Sequence, residues 1–253
     1  MNRQAVNPYL PSWEYIPDGE PHVFNGRVYV YGSHDRFNAP IFCVNDYVCW
    51  SAPVEDLSEW RYEGVIYRKK QDPKNPLGYH LLFAPDVCQG PDGRYYLYYA
   101  FDFLGIMSVA VCDTPAGEYK FLGHIHYADG TLWGRRRGDQ LPFDPGVLAD
   151  DDGRVWLYSG FYNAVPAILT GGHKLRCDGG TVLELEKDMV TIKTEPRVIF
   201  PKKGPGAFQG HEFFEASSIR KEGKTYIFVY SSRHNHELCY ATSQSPDRDF
   251  SYG

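Results

Sequence analysis

Apolar and aromatic residues in this chain come in short runs, each broken by Gly, Pro, Asn or Asp, as in Val28-Tyr29-Val30-Tyr31 and Tyr95-Tyr96-Leu97-Tyr98. Runs of this kind predict β-strands separated by tight turns. No stretch sustains a 3.6-residue apolar period, so helix should be minor. Four runs share one preface, a Gly turn followed by a cation: Asn25-Gly26-Arg27, Asp92-Gly93-Arg94, Asp152-Gly153-Arg154 and Glu222-Gly223-Lys224. Such turns join hairpin strands. Their recurrence at roughly 60–70 residues marks an internal repeat.

In three repeats a further apolar strand ends in a proline turn: Tyr47–Pro53, Val109–Pro115 and Leu238–Pro246. Trp60–Ile66 and Tyr119–Leu122 then read as a fourth strand. Four antiparallel strands per unit, repeated radially, describe the blade of a β-propeller. The fold class is therefore all-β, a single propeller domain over residues 1–253. The fourth repeat reaches Pro246 shortly before the final Gly253. The expectation is an incomplete ring of about three and a half to four blades, truncated at its C-terminus, whose open side favours self-association. His124–Leu141, residues 171–181 and residues 201–210 read as exposed loops or connections.

High aromatic content (16%), with 25 Gly and 18 Pro, fits many short strands. A net charge of −6 argues against a nucleic-acid partner. No apolar run approaches the ~20 residues of a membrane span, and the N-terminus lacks the apolar core of a secretory signal. Six scattered cysteines show no metal-ligand spacing, and four fall in strands as small hydrophobes. Cytoplasmic localisation is the resulting expectation.

A carboxylate precedes each turn glycine by about seven to nine residues: Asp18, Asp86, Asp144 and Glu215. Each should open the innermost strand of its blade, so all four should meet at one mouth of the channel. Any one alone is as well explained by a strand-start residue bonded to backbone. Four in register favour a shared site with a raised carboxyl pKa. The segments after each second strand should lie at the same mouth: Ser33–Arg36, Phe101–Phe103, Phe161–Asn163 and Ser231–His234. They carry rings and polar groups suited to stacking on a sugar and bonding its hydroxyls. His34, Asp35, Phe161 and Arg233 are thus candidate binding residues, with Asp86, and Trp13 as a platform close in sequence to Asp18.

The stretches IPDGEPHVFNGRVYVYGSHD, FAPDVCQGPDGRYYLYYAF, LPFDPGVLADDDGRVWLYSGF and FFEASSIRKEGKTYIFVYSS together resemble family 43 of the glycoside hydrolases. The resemblance implies a five-bladed propeller acting on α-L-arabinofuranosyl or β-D-xylosyl linkages of hemicellulose saccharides, with inversion. It implies Asp18 as general base, Glu215 as general acid, Asp144 as the residue that orients the acid and raises its pKa, and Asp86 as a non-catalytic neighbour. In the family the base is usually followed by Pro, whereas Gly19 stands here with Glu20 close by. The family's fifth blade usually supplies a channel histidine, often near calcium. A structural calcium is thus implied by resemblance, though no cofactor is required by the sequence.

Three rivals are a fructosidase, a mannoside phosphorylase with Arg36 and Arg233 as phosphate ligands, and a non-catalytic carbohydrate-binding propeller. His124-x-His126 and His234-x-His236 read as structural or surface residues rather than metal ligands. Asp150–Asp152 reads as a solvated turn.

Overall fold

A computed structural model describes residues 7–253. The repeats fold as four four-stranded antiparallel sheets. Blade one comprises β1 (Glu20–Phe24), β2 (Arg27–Tyr31), β3 (Tyr47–Pro53) and β4 (Arg61–Tyr67). Blade two comprises β5 (Asp86–Gln89), β6 (Tyr95–Ala100), β7 (Met107–Cys112) and β8 (Lys120–His124). Blade three comprises β9 (Gly146–Ala149), β10 (Val155–Phe161), β11 (Gly179–Leu185) and β12 (Arg197–Pro201). Blade four comprises β13 (Phe213–Glu222), β14 (Thr225–Ser232), β15 (Leu238–Ser243) and β16 (Ser251–Tyr252). Among the described residues the one helical element is a single turn at Lys69–Gln71. Among the described residues no helix is long and apolar enough to cross a membrane.

β1, β5, β9 and β13 begin their sheets at the axis, and β5 and β13 both pack against β9. Apolar layers fill the space between neighbouring blades. Tyr98 and Val109 meet Val147 and Leu157 between blades two and three, and Tyr158 and Val182 meet Phe228 and Tyr230 between three and four. The third blade's outer strands, unseen in the sequence, are β11 and β12. Gly179 and Gly180 open β11 and weaken its apolar signal. Gly180 needs its missing side chain, because a Cβ there would lie 3.0–3.2 Å from the Phe200 and Phe213 rings. The fourth blade ends with β16, which pairs Tyr252 with Ala241 and Ser251 with Thr242.

Two expectations about loops are corrected. His124–Leu141 is not an exposed loop: Trp133 is fully buried and Asp139 is nearly so. Asp139 accepts from Tyr127 Oη at 2.7 Å and from the Gly134 N–H at 2.8 Å, which turns the segment inward. Asp150 is not solvated: it is buried and accepts from Lys221 and Tyr226 of blade four. That turn is a tie between blades.

Candidate active site

Beneath the shared mouth of β1, β9 and β13 lies a cavity of about 440 Å3, in the range of small-ligand sites. Asp18, Asp144 and Glu215 all face it, each from a different blade. Its walls are aromatic. Phe103 stacks on Phe143 at 5.3 Å, and Phe161 lies 4.8 Å from Phe143 and 5.3 Å from Phe214. Phe83 meets Phe143 edge-on at 5.7 Å. A sugar ring in such a cavity has apolar faces to lie against and carboxylates to bond.

The backbone at the carboxylates is unusual. Asp18 (φ 55°), Asp144 (φ 44°) and Ala216, directly after Glu215 (φ 61°), are all left-handed. Each such residue costs about 1–2 kcal/mol for an L-amino acid. Strain of this kind concentrates where side chains must be aimed. The aiming contacts are visible: Ser33 Oγ donates to Asp18 Oδ2 at 3.0 Å, and the Ala216 N–H donates to Asp144 Oδ2 at 3.1 Å. Gly146 lets blades three and four close on one another. A Cβ there would lie 2.7 Å from the Ser217 carbonyl oxygen.

Burial sets the proton affinities. Glu215 is pushed up to about 7, first by burial and then by the charge of Asp18. Asp144, nearly inaccessible, is raised well above the carboxylate range by burial and then by Glu215 and Asp18. Asp18 is raised by burial and held back by its Ser33 hydrogen bond. Repulsion between Asp144 and Glu215 is mutual and raises the proton affinity of the pair, and the charge of Asp18 adds to it.

Of the other candidates, Asp35 and Phe161 line the cavity. Asp35 also receives the Cys43 N–H. Trp13, His34, Arg233, Arg36 and Asp86 lie elsewhere. Trp13 stands exposed outside, 6.0 Å from Trp50. His34 is held by Glu14 at 2.9 Å and the Asp46 carbonyl at 3.1 Å. Arg233 pairs with Glu212 at 2.9 Å and donates to Tyr162 Oη at 3.0 Å. Arg36 borders a neighbouring groove, so neither cation needed for phosphorolysis reaches the carboxylates.

Asp86 sits fully buried, farther along the channel. Its carboxylate holds His22 Nε2 at 2.5 Å and the Val147 and Val87 N–H groups at 2.6 and 2.7 Å. It joins three blades and, being fully buried away from the cavity, offers nothing to a sugar. The reason is register: Asp86 pairs with Tyr98 just as Glu20 pairs with Tyr31, so it is the counterpart of Glu20 and not of Asp18. Glu20 likewise turns away from the cavity, accepting from Ser218 at 2.8 Å and from Arg220. Of Asp18 and Glu20, therefore, Asp18 is the one that faces the cavity.

Glu20, His22 and Asp86 are close enough to one another to suggest a cation. Calcium requires six to eight oxygen ligands. Here the cluster offers two carboxylates and one imidazole nitrogen, with Glu20 paired to Arg220 and Asp86 holding His22 and two N–H groups, so this cluster does not fit a calcium oxygen shell.

Sequence reasoning missed Phe42, Cys43, Phe83 and His236 in the wall. His236 Nδ1 lies 3.5 Å from Glu215 Oε1, and its ring meets Phe214 edge-on at 4.7 Å. Phe143 and Phe214 carried a legible signal, since each directly precedes a cavity carboxylate.

The model of glycosyl hydrolases family 43 matches residues 17–251. A xylosidase/arabinosidase of Thermoclostridium stercorarium is 60% identical over the whole chain, which spans 52% of that relative's length. A xylosidase/arabinosidase of Bacteroides ovatus is 31% identical over 96% of the chain and 78% of its own length. Among solved structures, a family 43 β-xylosidase/α-arabinofuranosidase from a compost metagenome, described as a calcium-free form with xylotriose, superposes with a TM-score of 0.73. It is 26% identical, with 99% of this chain and 80% of that chain covered.

Proposed function

The chain belongs to glycosyl hydrolase family 43, and from that premise we propose that it hydrolyses β-D-xylosyl or α-L-arabinofuranosyl linkages of hemicellulose-derived saccharides with inversion. The observation that carries this reading is the convergence of Asp18, Asp144 and Glu215 on one aromatic-walled cavity, with Glu215 protonated up to about pH 7.

In single displacement one carboxylate deprotonates water on one face of the sugar while a carboxylic acid protonates the leaving oxygen on the other. Asp18, restrained by Ser33, is the base. Glu215, kept neutral by burial, is the acid. Asp144 holds the backbone that carries the acid. Asp35 offers an acceptor for a sugar hydroxyl, and the Phe83, Phe143 and Phe161 rings support the sugar while excluding water. No step is assigned to calcium.

Six unpaired cysteines support a reducing, cytoplasmic setting. Exposed Leu238, Tyr240 and Val23 support self-association, which sedimentation at rising concentration would read as an increase in mass.

The test of function is turnover of 4-nitrophenyl β-D-xylopyranoside and α-L-arabinofuranoside, with the first product anomer followed by proton NMR. Hydrolysis with inverted configuration is expected. A retained anomer would overturn the mechanism, and binding of xylotriose without cleavage of any substrate would return the chain to a carbohydrate-binding propeller.

A further inference from the structure

Outside the cavity, on the side of blade four that faces blade three, His211, Glu237 and Cys239 bring three different donor types together. His211 Nδ1 lies 2.7 Å from Glu237 Oε2, Cys239 Sγ lies 3.4 Å from the same oxygen, and the sulfur lies 3.9 Å from the imidazole nitrogen. Bond lengths of about 2.0–2.2 Å to nitrogen or oxygen and about 2.3 Å to sulfur give tetrahedral edges of roughly 3.3 Å for N–O and 3.6 Å for the two sulfur edges. The two sulfur edges match to within a few tenths of an ångström, whereas the His211–Glu237 edge is about 0.6 Å shorter, a hydrogen bond that an entering ion would replace as the two side chains part.

We propose that His211, Glu237 and Cys239 form a zinc-type divalent metal site with a fourth position open to water. The donor set selects the metal. Imidazole and thiolate with one carboxylate suit zinc, whereas calcium and magnesium require oxygen shells. The scaffold is fixed before any ion arrives. The His211 carbonyl accepts from Tyr230 Oη at 2.7 Å, and the Glu237 carbonyl accepts from the Ser232 N–H at 2.9 Å. The ring of Tyr252 stacks on His211 at 4.5 Å, and its hydroxyl lies 3.8 Å from Cys239 Sγ. His211 and Glu237 are more than a third exposed while Cys239 is buried, so an ion enters from solvent and reaches the sulfur last.

On binding, the Cys239 thiol loses its proton to solvent and ligates as thiolate. The imidazole ligates neutral and the carboxylate ionised. Glu237 follows His236, the ring beside Glu215, so the ion would brace the wall of the cavity. This last consequence rests on the hydrolase reading; the metal site itself does not.

The test is titration of the reduced 253-residue protein with Co2+. Binding of about one equivalent should give a near-ultraviolet thiolate-to-cobalt charge-transfer band and visible bands of four-coordinate cobalt, both bleached by Zn2+. Cys239→Ser should abolish the charge-transfer band, and His211→Ala should weaken binding by more than about tenfold, the scale already seen when only outer-sphere partners are lost. Glu237→Gln is the milder variant should either of these fail to fold, and it should weaken binding likewise. No charge-transfer band in the parent protein, or one that persists unchanged in folded Cys239→Ser, would overturn the site. Because the readout is spectroscopic, an inactive hydrolase leaves the result interpretable.

Discussion

Asp144 Oδ2 accepts the N–H of Ala216 at 3.1 Å, so a side chain at the entrance to the third blade fixes the backbone directly after Glu215 in the fourth. Ala216 is left-handed at φ 61°, and this bond holds its amide toward the third blade. The acid is therefore positioned across a blade boundary, at the level where Gly146 allows the two inner strands to touch.

Replacing Asp144 by Ala should free that amide and let the acid drift. A misplacement near 1 Å can cost about 10²-fold in rate. We expect kcat/KM to fall by about that factor even at pH values where the acid is fully protonated, because the loss is one of position. A limb that moves down by more than a unit, with kcat preserved, would show that Asp144 acts by charge instead.

The pH dependence follows from Glu215. Activity should fall through a limb near pH 7 as the acid ionises. NMR titration of Glu215 should show its midpoint lowered in Asp18→Asn, though still above an ordinary glutamate, because burial is the larger cause. The stability consequence has a definite sign. A carboxyl whose folded pKa is raised destabilises the fold as pH rises from the unfolded value to the folded one. Glu215→Gln should therefore be more stable than the parent at pH 8, by of order 1–3 kcal/mol, and no more stable at pH 4. Denaturant melts at the two pH values check this.

Glu215→Gln also separates the acid role from binding. General acid catalysis is worth about 10²–10⁴-fold. That loss is expected on xylobiose or alkyl glycosides, whose leaving groups need a proton, and a much smaller one on 2,4-dinitrophenyl glycosides. Equal losses on both substrates would remove Glu215 from the acid role.

Gly146→Ala should damage both stability and activity. Its Cβ would meet the Ser217 carbonyl oxygen at 2.7 Å, backbone against backbone, with no flexible end to yield. A cost of about 1–3 kcal/mol is expected for such overpacking. Rate should fall as well, since the shift separates Asp144 from Ala216. Thermal melting together with kcat/KM measures both.

The sequence by itself determined the blades. Turn glycines at regular intervals and alternating apolar strands have a local cause, the left-handed turn and the two-residue period of a pleat, and both can be read without neighbours. It also determined that Asp18, Asp144 and Glu215 open inner strands, and family likeness added their roles. Asp86 shows the limit. Counted from its turn it looked equivalent to Asp18, but its ladder partner Tyr98 places it level with Glu20, and the fold uses it to join three blades. A two-residue difference in register keeps the face but moves a side chain roughly 7 Å along the strand, here from the mouth into the channel, and register is settled by pairing rather than by spacing. Only the tertiary structure brought His236, Phe42 and Phe83 to the cavity, withdrew Arg233 and His34 into local hydrogen bonds, and buried Asp150 under Lys221. Those outcomes depend on contacts between blades, and on the burial that lifts Glu215 to about 7, for which a linear sequence carries no periodic signal.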